Sequence, residues 1–161
     1  MEYNGQKGSL RMESSSTARV LVVAHRTAAT PALLAAIRER ADRGPAQFHL
    51  LVPNPAHATW RPIEAVHHQK VMEAEQVLAL ALPLIEQAAG GPADGSWSTR
   101  HDPMDAIEET LHDREFDEII LSTLPRSVSK WLHVDLPRRV AHLGVPVTTI
   151  TAQERTPAGV A

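Results

Sequence analysis

Two stretches of the chain concentrate side chains able to handle an anion. One is Ala24-His25-Arg26, directly after an apolar run. The other runs from Ser122 through Thr123, Arg126, Ser127 and Ser129 to Lys130, after a second apolar run. Guanidinium groups match the planar geometry of phosphate and carboxylate, and hydroxyls and an ammonium add further donors. His25, Arg26, Ser122, Thr123, Arg126, Ser127, Ser129 and Lys130 therefore make up the candidate ligand- or anion-binding set, with Arg138 and Arg139 close behind in sequence. The plainer alternative is a solvated polar loop. It is the stronger reading, because the second stretch contains no glycine to bring backbone N–H groups onto a phosphate.

Other chemistries have less to stand on. There is no cysteine, which removes thiolate catalysis, disulfides and cysteine-ligated zinc. Nine histidines raise the question of a metal. His67 and His68 are adjacent, so they point to different faces of a helix, and His25, His57, His101 and His133 are scattered among loops. No HExxH motif appears, and no metal is expected. A pairing of His25 with His133 at the strand ends is the one arrangement that would bind metal or sense pH. No GxSxG motif or Ser-His-Asp arrangement is visible, and no catalytic residue is assigned. A receiver domain would need an acidic pair after the first strand and a lysine after the fifth, and both are missing. A flavodoxin-like site would need glycine beside Thr27 and Thr30. Trp60, Trp97 and Trp131 are far apart and read as packing residues, with Trp131 also placed to cover a pocket or a dimer surface.

The elements that must position these groups follow from periodicity. Val20 to Ala24 is a continuous apolar run, as expected of a strand buried on both faces of a parallel sheet. Thr30-Pro31 opens a helix with an N-cap and a proline in the first turn, Leu33, Leu34, Ile37 and Ala41 face inward, and Gly44-Pro45 stops it. Phe48 to Val52 is the second strand. A long helix is predicted over 64–89, with Val71, Ala74, Leu78, Ala81, Ile85 and Ala88 on one stripe and a kink at Pro83. Ser96 to Arg100 reads as a weak third strand at an edge. Asp102-Pro103 starts another helix, with Met104, Ile107 and Leu111 inward. Ile119 to Leu121 is the fourth strand, and a loop from Ser122 to Asp135 follows. A short helix over 136–143 and a fifth strand, Val147 to Ile150, complete the pattern. Five strands alternating with four helices imply a parallel α/β sheet with right-handed crossovers. Ligands of such sheets bind beyond the carboxyl ends of the strands, at the switch point between strands one and four. Both polar stretches fall there.

Several of these residues resemble the universal stress protein family. They are Asp102-Pro103-Met104-Asp105-Ala106-Ile107, Phe116 to Thr123, Arg139-Val140-Ala141-His142 and Val145-Pro146-Val147. The likeness covers about residues 19–151 in architecture and is closest in sequence from 102 onward. It implies a five-stranded sheet of order 3-2-1-4-5 with helices on both faces, the adenine-nucleotide α-hydrolase-like fold. It also implies a homodimer paired through the last strand, whose residues Val147 to Thr151 are β-branched throughout. ATP-binding members carry a glycine, two residues, a glycine, nine residues, then glycine with serine or threonine. Here Ser122 and Pro125 stand at the first two glycine positions, and the last pair falls near Val134-Asp135, with the loop one residue shorter. Proline removes a backbone donor, and Asp135 would set negative charge where a phosphate should rest. The aspartate that relatives place after the first strand is replaced by Ala24-His25-Arg26. Asp135 reads instead as an N-cap for the helix at Leu136-Pro137.

With 161 residues, 43% hydrophobic and 22% charged, the chain suits one globular domain over 19–152 between flexible tails at 1–18 and 153–161. Met12 is an alternative start. No apolar run approaches a membrane span, and the N-terminal residues lack a signal-peptide core. A net charge of -3 gives no basic field for nucleic acid. The expectation is a cytoplasmic, homodimeric, stress-protein-like binding or regulatory module. This reading is non-enzymatic and without a cofactor, with ATP or another nucleotide disfavoured. The alternatives are a nucleotide- or small-anion-binding protein that uses the basic loop after strand four and, with least support, an enzyme of unknown reaction at the strand ends.

Overall fold

The computed structural model describes residues 16–53, 63–100, 102–125 and 129–152, with the side chains of 63–70 and Lys130 outside that description. Ten elements follow in chain order: β1 (Ala18–Val23), α1 (Pro31–Asp42), β2 (Ala46–Val52), α2 (Ile63–Ala89), β3 (Ala93–Trp97), α3 (Pro103–Asp113), β4 (Glu118–Thr123), α4 (Lys130–His133), α5 (Leu136–Ala141) and β5 (Val147–Thr151). The five strands are all parallel and lie in the order β3-β2-β1-β4-β5. The expected order is therefore observed, with β1 at the centre and β3 and β5 at the edges.

Alternation along the central strands sends side chains to two cores. Val20, Val22, Leu50 and Ile120 face Leu33 and Ile37 of α1 and Ala74, Ala81 and Ile85 of α2. Leu21, Val23, Leu51, Ile119 and Leu121 face Met104 and Ile107 of α3 and Leu136 and Val140 of α5. The apolar runs of β1 and β4 arise because both faces are covered. The stripe expected on α2 is the buried one, and the helix continues through Pro83. Both helix starts behave as read. Thr30 Oγ1 accepts from the Leu33 N–H at 3.4 Å, and Asp102 Oδ1 accepts from the Met104 N–H at 2.9 Å.

Four readings are corrected. The third strand is Ala93–Trp97 rather than 96–100. Ala93, Asp94 and Gly95 have poor strand propensity, but the backbone of Phe48–Val52 supplies a ladder for them, and pairing overrides propensity. β4 extends to Thr123, so Ser122 and Thr123 lie on the strand and not in a loop. The polar segment after β4 holds a fifth helix, the one-turn α4, where four helices were expected. α5 ends at Ala141, short of 143. Among the described residues, no helix is long and apolar enough to cross a membrane.

Candidate functional site

The carboxyl ends of β1 and β4 lie side by side, because the two strands pair directly. The chain leaving β1 turns tightly, with the Ala28 N–H bonded to the His25 carbonyl at 3.2 Å and the Thr30 N–H to the Thr27 carbonyl at 3.2 Å. This turn buries His25, Thr27 and Ala28. It also presses Thr27 against β4. The Ser122 hydroxyl donates to Thr27 Oγ1 at 2.6 Å, and the Thr27 hydroxyl donates to the Ser122 carbonyl at 3.1 Å. Both side chains are at most 2% exposed. The turn after β1 is thus bonded to the end of β4.

The remaining candidates are placed as follows. Thr123 is buried and shares a 3.4 Å hydroxyl contact with Thr151 of β5. Ser129 is buried, and its Oγ accepts from the Leu132 N–H at 3.1 Å, which caps α4. His25 is buried with Nε2 3.5 Å from Glu73 Oε2 of α2. His133 is exposed on α4, and among the described residues no group of three or more acidic or histidine side chains could hold a metal. Arg26 is exposed. Arg126, Ser127 and the Lys130 side chain lie outside the described residues, as do His57, His101 and Trp60. Trp131 packs against the α3–α5 core.

Asp135 departs from its expected role. It holds the N-cap position of α5, but its side chain makes no capping bond and its backbone is left-handed, at φ 57°. Its carboxylate lies 3.8 Å from Arg138 on the surface instead. Arg139 turns back to Asp102 at 3.1 Å, tying α5 to the start of α3.

The structure also assembles a cluster that the sequence reading passed over. In the parallel register His49 of β2 is opposite Asp94 of β3, two residues before Ser96. His49 Nδ1 is 2.8 Å from Asp94 Oδ1, and its Nε2 is 2.9 Å from Ser96 Oγ. A Ser-His-Asp series is therefore present where none was expected. Arg114, after α3, places NH1 2.9 Å from His49 Nδ1 and 3.3 Å from Asp94 Oδ2. The short carboxylate contact assigns the proton to Nδ1, which donates to Asp94 and leaves Nε2 to accept from the Ser96 hydroxyl. Burial of the imidazole holds His49 below its ordinary value, against the opposing pull of Asp94 and with help from Arg114. Partial burial pushes Asp94 upward, but the His49 hydrogen bond and the charge of Arg114 outweigh it, and the carboxyl sits below its ordinary range. At neutral pH the cluster is a neutral imidazole between a carboxylate and a hydroxyl. It links β2, β3 and the α3–β4 connection. The only sequence signal for it was a histidine inside an apolar strand, where an unpartnered imidazole would be costly.

A doubly wound parallel sheet with its crossover point between β1 and β4 is the architecture of nucleotide- and ligand-binding α/β domains. Among them, the fold is that of the universal stress proteins. A universal stress protein from Archaeoglobus fulgidus superposes with a TM-score of 0.58 at 14% identity, covering 88% of this chain and 99% of that one. A universal stress protein family protein from Arabidopsis thaliana with AMP bound gives 0.59 at 15%, covering 88% and 97%. The Archaeoglobus fulgidus protein in complex with dAMP gives 0.50 at 15%, covering 84% and 98%. No protein-family model and no curated protein matches the sequence.

Proposed function

We propose that the chain is a universal-stress-protein-like binding or regulatory module that catalyses no reaction and does not take ATP in that family's usual way. The observation that carries this reading is the buried Thr27–Ser122 lock. A nucleotide site between β1 and β4 needs donors turned outward, and here the hydroxyls of Thr27 and Ser122 satisfy each other. Ser122 and Pro125 in place of glycine act in the same direction, since neither lets the backbone close on a phosphate. Output then passes through protein contact. The half-exposed edge strand β5, β-branched at every position, is the surface for pairing with a second copy.

A second reading keeps a mononucleotide or small anion at the same strand ends. It is favoured by the exposed Arg26 and by the fold neighbours that carry AMP and dAMP. Thermal unfolding with ATP, AMP, dAMP or inorganic phosphate at millimolar concentration separates the two. A ligand at 100 times its Kd raises stability by about 2.7 kcal/mol. The first reading expects no shift with any of them, and a saturable shift with AMP or dAMP replaces it with the second. Light scattering at micromolar protein tests the dimer, and a monomer there refutes β5 pairing.

A further inference from the structure

The opposite end of the sheet holds a cavity of 220 Å³. It opens where β1, β2 and β3 begin, and its walls include Arg19, Asp94, Arg114, Pro92 and Phe116. None of these belongs to the strand-end segments discussed above. We propose that this cavity binds a small monocarboxylate with a flat apolar body, held by Arg19 and Arg114.

Charge, shape and fixed geometry each support that class. Two guanidinium groups face one carboxylate in the walls, and His49 at the back is neutral. The lining therefore has one uncompensated positive charge, which suits a monoanion. Arg114 is held on two sides. It contacts Asp94 at 3.3 Å, and its guanidinium carbon lies 5.5 Å from the centre of the Phe116 ring. A guanidinium fixed in this way loses little freedom when it takes a carboxylate. Arg19 supplies the second charge. Its backbone N–H is taken by Asp117 at 2.7 Å, whereas its exposed guanidinium has no partner among the described residues. Pro92 and Phe116 add apolar wall beside the two charges, so the ligand needs an apolar body as well as an anionic head. Phe116 is in turn set by His49, whose ring centre is 5.9 Å away. The volume is below the roughly 300–1,000 Å³ of sites for drug-sized ligands, which limits the occupant to a small molecule.

Calorimetric titration of the full chain with benzoate, benzamide and inorganic phosphate tests the assignment. Benzoate is expected to bind with a Kd on the order of 1 mM. Benzamide, which lacks the charge, and phosphate, which lacks the apolar body, should each bind at least about tenfold more weakly. R19Q removes a side chain with no partner among the described residues, so it should leave the melting temperature unchanged and weaken benzoate about tenfold. R114K keeps the charge but loses the planar fork, and should also weaken benzoate. No saturable heat with benzoate, benzoate affinity unchanged in R19Q, or phosphate binding as tightly as benzoate would each overturn the proposal.

Discussion

The two ends of the sheet solve the same problem differently. At the carboxyl end, where α/β sheets hold their ligands, Thr27 and Ser122 bring together two neutral hydroxyls. They are buried and bonded to one another across β1 and β4. At the amino end the polar groups are charged and partly open to water. Arg114 and Asp94 are about half exposed or more, at 47% and 63%, around a buried imidazole. Hydroxyls can satisfy each other in a dry space with no net charge. Charges cannot be buried so cheaply, so they remain at the rim and leave room between them. The outcome is that two hydroxyls at the position favoured by topology satisfy each other, while partly exposed charge and a cavity lie at the other end.

Mutations can break this contrast, beginning with the strand that carries Asp94 and Ser96. β3 approaches α2 through Gly95, where an added Cβ would come 2.5 Å from Leu78 Cδ1 and 2.9 Å from the Leu50 carbonyl oxygen. The backbone oxygen cannot step aside, so G95A is expected to cost about 1–3 kcal/mol or more. Chemical denaturation measures that loss. It should also disturb the flanking Asp94 and Ser96, visible as a shifted His49 imidazole NMR signal.

At the carboxyl end, T27V removes one partner of the lock and leaves the Ser122 hydroxyl buried without it. The expected cost is about 1–3 kcal/mol. The double variant T27V/S122A removes both partners and should recover much of the loss, because no buried polar group is stranded. A double variant as unstable as T27V would show that the hydroxyls were not locked to each other.

At the amino end the sharpest probe is pH. The His49 pKa in the folded state lies below the ordinary value of 6.5. Between these two values the unfolded chain takes up a proton that the folded chain refuses. His49 therefore contributes its full stability above pH 6.5, and that contribution is lost as pH falls toward the folded value. Asp94, also depressed, adds a further loss at lower pH, below its ordinary value of 3.8. Thermal melts from pH 8 to 5 should fall more steeply for the native chain than for H49Q. Parallel curves would remove the buried neutral histidine from the account. The smallest effect is expected at Asp135. Its left-handed backbone favours glycine and its side chain caps nothing, so D135G should raise stability by up to about 1 kcal/mol, seen as a Tm rise of about 2–4 °C.

Much of the fold could be read from the chain, because local patterns reported global burial. The apolar runs of β1 and β4, the stripe on α2 and the caps at Thr30 and Asp102 each state what covers them. The weak third strand was misplaced by three residues, since its pairing partner and not its own residues decides where it starts. The candidate site was legible only as a position. Sequence put His25, Ser122 and Thr123 at the strand ends but could not say that Thr27 and Ser122, 95 residues apart, would bond to each other. Nor could it say that His49, Asp94 and Arg114 would meet. A hydroxyl or an imidazole has the same type whether it faces a ligand, water or a neighbour. Which of these it faces is set by parallel register and by the turn after β1, and both depend on contacts between residues far apart in the chain. Sequence by itself thus determined a parallel α/β sheet and the polar residues that follow its first and fourth apolar runs. Tertiary structure alone decided that Thr27 and Ser122 bond to each other at the carboxyl end and that His49, Asp94 and Arg114 meet at the amino end, because both depend on register between distant strands.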